Sequence, residues 1–342
     1  MAERTLTERE LNRALLARQL LLERASLPLS RAVERVGGLQ TQYAPSGYIA
    51  LWSRLEGFKR DDLTKALERR SLVQGTLMRV TIHVVSARDY PLLAAGVRDG
   101  RRRWWLQLHK GVEAREVAAA ARRLRSILKE GPRRLSELNQ HFAPDDAAWN
   151  GAGLWLDLVR VPPSGTWDRR RADLYGLAET WLAPSDATPE QGLEHLIRRY
   201  LGGFGPASIK DIANWAGLPV KMLAPSVKLR RFRDERGEEL LDLPRAPLPH
   251  PDTPAPIRFL PTWDATLLVH ARRTQILPER YRSLVFNTQT PHSVSTFLVD
   301  GQVAGTWRYE RGYLEIDPFE RLSREARKEL EQEAERLEAF YS

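Results

Sequence analysis

Three times along this chain, helices run into a turn and then a short strand pair, and that repeated order limits the fold more than any other feature. The first pass spans Leu6 to Leu108. Thr7-Glu8-Arg9-Glu10 opens a helix, Ser30 to Val36 forms another that Gly37-Gly38 stops, and Tyr48 to Leu55 reads as a third. Asp61 to Leu67 begins a further helix with its acids at the positive end. Leu77 to Val85 then alternates, with Thr81, His83 and Val85 on one side and Ile82 and Val84 on the other, which is strand. The second pass starts near Glu113, with helices over Glu116 to Lys129, Leu135 to Phe142 and Ala147 to Val159. A turn from Val161 to Gly165 follows, then a basic flank at Arg169-Arg170-Arg171 and an extended Tyr175-Gly176-Leu177. The third runs from Pro189 to Pro244. Gln191 to Leu201 is a helix ended by Gly202-Gly203, and Ser208 caps Ile209 to Trp215. Gly217-Leu218-Pro219 turns, a helix starts at Val220, and a hairpin closes around Gly237.

Helices followed by a hairpin are the order of a winged helix, a helix-turn-helix with a β hairpin attached. Beyond the proline-rich stretch Pro244 to Pro256, a stiff linker, Ile257 to Ile316 is rich in strands, with a hairpin at Asp300-Gly301 and a charged closing helix over Leu322 to Phe340. The expected fold is α+β: tandem winged-helix (helix-turn-helix) units, then a small antiparallel β-barrel and a C-terminal helix. The boundaries fall at 1–110, 111–188, 189–245 and 246–342. Ten tryptophans are present, and Trp155 and Trp181 read as core.

The charge balance narrows the partner. The chain has 342 residues, 53 Lys+Arg against 44 Asp+Glu and a net charge of +9, which favours an acidic partner, nucleic acid first. A solvated basic surface is the plainer alternative. There is no cysteine, which excludes disulfides, thiolate-held iron–sulfur clusters and zinc fingers. The seven histidines (His83, His109, His141, His195, His250, His270 and His292) show no close metal-site spacing, so neither a metal nor a cofactor is expected. The polar N-terminus and the lack of a long apolar run speak against secretion and membrane insertion, leaving a cytoplasmic, nucleoid-associated monomer as the expectation.

One segment carries chemistry. In Gly37-Gly38-Leu39-Gln40-Thr41-Gln42-Tyr43-Ala44-Pro45, glycines precede and a proline follows two glutamines set two apart, so the chain there reads as extended. Residues two apart on an extended run point to one side, and an amide both accepts and donates. Gln40 and Gln42 could therefore hold a water or a base edge from both ends.

Four stretches together resemble one bacterial family, the AlkZ/YcaQ-type DNA glycosylases. They are Leu39-Gln40-Thr41-Gln42 with Pro45; Arg79-Val80-Thr81-Ile82-His83; Tyr200 to Ser208 leading to Asp211-Ile212-Ala213-Asn214-Trp215; and Leu260-Pro261-Thr262-Trp263-Asp264 with Val299-Asp300-Gly301 to Gly305-Thr306-Trp307. The resemblance covers nearly the whole chain. It implies three winged-helix units closed by a small barrel around a basic channel for duplex DNA, and excision of N7-alkylated purines, including interstrand crosslinks. It implies that Gln40 and Gln42 match a catalytic Gln-x-Gln, and Thr81 and His83 a Thr-x-His on a hairpin beside it.

The chemistry fits such residues. N7 alkylation makes the base a cationic leaving group, and the sugar passes through an oxocarbenium-like transition state. What remains is to place a water and surround positive charge with acceptors. Gln42 would hold the water and Gln40 steady it or the sugar, or the roles are swapped. Thr81 and His83 either contact DNA or the adduct, or His83 is a half-buried residue satisfied by a backbone carbonyl. Arg79, two positions from Thr81, shares that face and suits phosphate. Arg101, Arg102, Arg103, Arg169, Arg170 and Arg171 are candidate backbone contacts, the last three being otherwise a solvated loop. Tyr43 stacks on sugar or base, or packs in the core. Asp264 reads as a structural acid at a turn. The competing function is a winged-helix transcription regulator without chemistry, which as a symmetric dimer would have no use for paired glutamines.

Overall fold

A computed structural model describes residues 4–223, 228–270, 274–286 and 293–342. Strand β1 (Thr5–Leu6) precedes α1 (Glu8–Arg18), α2 (Leu29–Arg35), β2 (Leu39–Gln40), α3 (Ala44–Arg54) and α4 (Arg60–Glu68). The hairpin β3 (Leu72–Thr76) and β4 (Ile82–Ser86) leads to the long α5 (Tyr90–Leu108) and α6 (Ala114–Lys129). Then come β5 (Arg133–Arg134), α7 (Leu135–Asn139), α8 (Ala147–Ala152), β6 (Leu158–Arg160), β7 (Leu174–Leu177) and α9 (Ala178–Trp181). Helices α10 (Pro189–Phe204) and α11 (Ile209–Ala216) precede β8 (Arg230–Asp234) and β9 (Glu239–Asp242). The C-terminal part holds β10 (Arg258–Leu260), α12 (Ala265–Leu268), α13 (Arg282–Val285), β11 (Thr296–Val299), β12 (Gln302–Glu310), β13 (Tyr313–Pro318) and α14 (Arg324–Tyr341).

The sheets stitch together parts that the sequence separates. One six-stranded sheet has the order β2-β4-β3-β6-β7-β5, because β3 pairs with β6 at Gln74↔Arg160 and Gly75↔Val159. The stretches 1–110 and 111–188 thus share a sheet. The chain start belongs elsewhere: β1 lies parallel to β8 and joins the β8–β9 hairpin. The C-terminal strands form an open antiparallel sheet, β10-β11-β12-β13, and no closed barrel is present among the described residues. Its β11–β12 link is the expected Asp300-Gly301 turn, both residues left-handed.

Capping residues set several helix starts as their chemistry requires. Thr7, Thr188 and Ser208 each accept a backbone N–H of the first turn and receive a side chain in return. Other expectations fail for packing reasons. The helix expected over Ala147 to Val159 stops at Ala152, and Leu158–Arg160 is strand because Val159 fills the sheet's buried face. Helix α10 runs through Gly202-Gly203 to Phe204; Gly203 serves close approach, since a Cβ there would lie 3.0 Å from the Val36 carbonyl. Helices α5 and α10 meet backbone to backbone, as a Cβ on Gly192 would sit 2.3 Å from the Gly96 nitrogen. After Val220 there is only a 3₁₀ turn, Val220–Met222, and 224–227 lie outside the described residues, as does His292. Trp155 and Trp181 are half-buried rather than core.

Four apolar clusters fill the interior, the smallest being Leu6, Leu11, Phe232 and Leu240 where β1 and α1 meet the β8–β9 hairpin. The largest joins α1, α5, α10 and α11 to the C-terminal part through residues such as Tyr200, Trp215 and Leu267. The second packs α2, α3 and α4 against Phe259, Phe297, Trp307 and the inner side of α14. The third is a small core under α6 to α8. Two buried bidentate ion pairs cross these boundaries: Arg18 on α1 with Asp242 on β9, and Arg54 on α3 with Asp264. Asp264 also caps α12, so its structural reading holds.

Removing one partner of such a pair strands a charge away from water. Asp264→Ala is therefore expected to destabilise folding by about 3–5 kcal/mol. Chemical denaturation should report this as a lowered midpoint with little change in slope.

Candidate active site

The glutamine segment starts where α2 ends. Gly37 and Gly38 have φ of +80° and +87°, a left-handed pair that turns the chain out of the helix and into β2. There Leu39 pairs with Val84 and Gln40 with His83. The ladder continues one step further, with the Thr41 N–H donating to the Ile82 carbonyl at 2.8 Å. Helix α3 begins at Ala44, so the extended run is shorter than Pro45 implied, and Pro45 occupies the first turn, where its missing N–H costs nothing.

Both amides are held by the 79–82 stretch. Gln40, only 6% exposed, accepts at Oε1 from Arg79 Nη2 at 2.6 Å. Gln42 is exposed and accepts at Oε1 from the Ile82 N–H at 3.2 Å. Thr41 between them is buried, and its hydroxyl accepts from Gln74 Nε2 at 3.0 Å. Sequence reasoning missed Gln74. Its signal was a lone amide inside the apolar strand Leu72-Val73-Gln74.

The hairpin beside the pair differs from expectation. Leu77 to Val85 is not one strand. It is interrupted by a 3₁₀ turn, Met78–Val80, in which Arg79 and Val80 have φ of 52° and 57°. Arg79 therefore does not share a strand face with Thr81 and is no phosphate contact. Arg79 is half-buried, its guanidinium bonded to Gln40 and to the Trp215 carbonyl at 2.9 Å, and desolvation lowers its pKa to about 10. His83 is also turned inward. It is 2% exposed, and Nδ1 lies 3.1 Å from the Thr81 carbonyl, to which it donates. Burial, aided by the Arg79 charge, lowers its pKa to about 3, so the ring is neutral. This is the backbone-satisfied histidine, not a DNA contact. The Thr81 hydroxyl donates to the Met78 carbonyl at 3.0 Å and is partly exposed.

The basic triplets part ways. Arg101, Arg102 and Arg103 lie on α5. Arg101 is 4% exposed and donates to the carbonyls of Leu154, Thr76 and Leu156 and to Asp157, so its donors are not available to phosphate. Arg102 is partly exposed and bonded to the Trp155 carbonyl, while Arg103 is exposed. Arg169, Arg170 and Arg171 are all exposed, on the loop between β6 and β7.

That loop is brought to the glutamines. Arg170 Nη1 donates to the Tyr43 hydroxyl at 3.0 Å, and its guanidinium lies 5.7 Å from the Tyr43 ring centre. Tyr43 is 42% exposed and so is not a core residue. The loop is anchored by Trp167, which packs edge-on against Tyr48, Phe340 and Tyr341 under the Arg60 guanidinium. Ser164 fastens its base by donating to the Arg171 carbonyl and accepting from the Asp173 and Leu174 N–H groups. Gln40, Gln42, Tyr43, Arg79, Thr81, His83 and Arg170 thus form one neighbourhood at the β2 edge of the six-stranded sheet. Among the described residues no cluster of side chains could hold a metal ion, and no helix is long and apolar enough to cross a membrane.

Comparisons with known proteins give the chain its family. An interstrand DNA cross-link repair glycosylase of Streptomyces sahachiroi is 24% identical over 353 residues, 93% of this chain and 92% of that protein. The solved structure of the Streptomyces sahachiroi DNA glycosylase AlkZ superposes with a TM-score of 0.80 at 20% identity, covering 96% of this chain and 95% of that one, a likeness of fold. The model of the family described as "DNA glycosylase AlkZ-like" matches residues 33–340, from the end of α2 through α14. The chain belongs to the AlkZ-like DNA glycosylases, enzymes acting on N-glycosyl bonds.

Proposed function

We propose that the protein hydrolyses the N-glycosidic bond of N7-alkylated purines in duplex DNA, interstrand crosslinks among them, with a water placed by Gln40 and Gln42. The carrying observation is that both amides are tied to the same short stretch, Gln40 to Arg79 and Gln42 to Ile82, beside a histidine that is neutral. The name of the Streptomyces relative, a cross-link repair glycosylase, supports the substrate class.

The step balances without acid or base. Water oxygen bonds to C1′ of the sugar as the bond from C1′ to the purine breaks. The bonding pair leaves with the base and neutralises its cationic ring, and the water proton passes to solvent. An amide pair can orient that water and set an amide oxygen near the positively charged sugar without changing charge itself. The product is an abasic site, as from a monofunctional glycosylase, and no cofactor takes part.

Binding is proposed to use the exposed basic loop. Arg169, Arg170 and Arg171 would contact phosphates, with Arg102, Arg103 and Thr81 as further contacts and Tyr43 against a sugar or base. The helices with their hairpins β3–β4, β6–β7 and β8–β9 would act as three winged-helix units, divided near residues 110, 188 and 245, holding duplex DNA as a monomer. The β3–β6 pairing would fix the first two units relative to each other.

Several measurements test this. Incubation with duplex DNA carrying N7-methylguanine or a nitrogen-mustard crosslink should yield alkali-labile abasic sites. Gln42→Ala should slow single-turnover excision by about 10²–10³-fold, in the range for loss of one preorganised group, with duplex affinity unchanged. An intact protein inactive on every adduct would refute the reaction. Excision should also be flat from about pH 5 to 9, since His83 titrates near 3 and Arg79 near 10. Stability carries the opposite signature. Between the ordinary 6.5 and about 3 the unfolded chain binds a proton that buried His83 does not, so the protein loses stability as pH falls through that window. Finally, replacing Arg169, Arg170 and Arg171 by alanine should weaken binding to all duplexes alike. It should flatten the salt dependence by roughly 0.9 in log–log slope for each phosphate no longer neutralised.

A further inference from the structure

Arg79 is an odd residue to find beside a site that must accommodate positive charge. It is half-buried, and both its observed bonds are to neutral oxygens: Gln40 Oε1 at 2.6 Å and the Trp215 carbonyl at 2.9 Å. The Trp215 carbonyl lies in the last turn of α11, where carbonyls lack helical partners and carry the negative end of the helix dipole. A guanidinium there gains two protein acceptors, though desolvation still lowers its pKa, and its charge does nothing to favour a cationic sugar. Electrostatic stabilisation of the transition state cannot be why it is placed there.

Its backbone is built for position. Arg79 and Val80 both adopt left-handed φ, which a β-branched residue such as Val80 rarely does. The turn is closed by Leu77 N–H to the Thr81 carbonyl and Thr81 N–H to the Met78 carbonyl, each 3.0 Å. Gly217 abuts it so tightly that a Cβ there would sit 2.9 Å from the Arg79 nitrogen. A strained turn is thus clamped between its own hydrogen bonds and the end of α11. What this geometry delivers is one guanidinium to one amide. A guanidinium has donors only, so the oxygen of Gln40 must face it and the NH₂ must face away.

We propose that Arg79 is a positioning residue that fixes the Gln40 amide as a hydrogen-bond donor toward the substrate, leaving Gln42 as the acceptor of the pair. This rests on the hydrolysis proposed above. It divides two like side chains into unlike roles through a contact that reaches across to α11. The Ile82 N–H occupies only one lone pair of Gln42 Oε1, so the other is free to hold water.

A double-mutant cycle on single-turnover excision of N7-methylguanine tests it, with duplex affinity and thermal midpoint measured in parallel. Gln40→Ala and Arg79→Ala are each expected to slow excision by about 100-fold, and the double variant no more than Gln40→Ala alone, since Arg79 acts only through Gln40. Losses that multiply, or an Arg79→Ala protein of normal rate, would overturn the role. Should Arg79→Ala fail to fold, Gln40→Glu keeps an oxygen on Arg79 but removes the NH₂. It is expected to hold or raise the midpoint while losing excision as Gln40→Ala does, and near-normal excision would overturn the role. A wild-type protein inactive on every adduct sinks the hydrolysis and this role with it; an active one with multiplying losses sinks this role alone.

Discussion

Everything at the site hangs on a two-residue strand. Leu39–Gln40 is hydrogen-bonded to the edge of β4, and the ladder continues through Thr41 to Ile82. So short a strand has little stability of its own. It is held from both ends, by the left-handed Gly37-Gly38 turn before it and by α3 after it, whose last residue Arg54 is locked to Asp264. Gln74 ties the middle from β3, on the far side of β4. The glutamines are thus fixed by backbone pairing and by three different parts of the chain, as preorganised catalysis requires.

Electrostatics follow a consistent logic. In the proposed reaction a cationic leaving group and a cationic sugar would need oxygen dipoles and an oriented water more than a proton donor. The neighbourhood supplies amides and backbone carbonyls, and burial keeps its one imidazole neutral. Apart from Arg79, which faces Gln40 and the Trp215 carbonyl, its positive charge is carried outward on the exposed Arg169-Arg170-Arg171 loop, where phosphates rather than the reacting sugar would meet it. Trp167 makes that loop a fixed platform by seating it against α3 and the last turn of α14. The C-terminal helix, distant in sequence, thereby supports the loop that touches Tyr43.

Local signals made much of this legible. Caps at Thr7, Thr188 and Ser208, the Asp300-Gly301 turn and the glycine stop before Leu39 all act over a few residues, and so can be read directly. The family resemblance likewise points to the Gln-x-Gln segment from sequence alone. What escaped was non-local. The pairing of β3 with β6 depends on complementary edges far apart in the chain, Gln74 with Arg160 and Gly75 with Val159. Gly202-Gly203 reads as a helix stop but serves a helix contact, since the same residue lacks a side chain for either purpose. Arg79 was misread because alternation predicted a straight strand through a turn that only tertiary clamping can hold. Arg101 looked like a phosphate contact because a triplet of arginines on a helix faces three directions, one of them inward.

The most direct test of the glutamine site is a structure bound to duplex DNA carrying a pyrrolidine abasic mimic, a cation in place of the oxocarbenium sugar. The expected result is the charged ring against the side chains of Gln40 and Gln42, with the Arg79–Gln40 bond intact and the Arg169–Arg171 loop on the flanking phosphates. Duplex bound on another face, with both glutamines left in solvent, would contradict it.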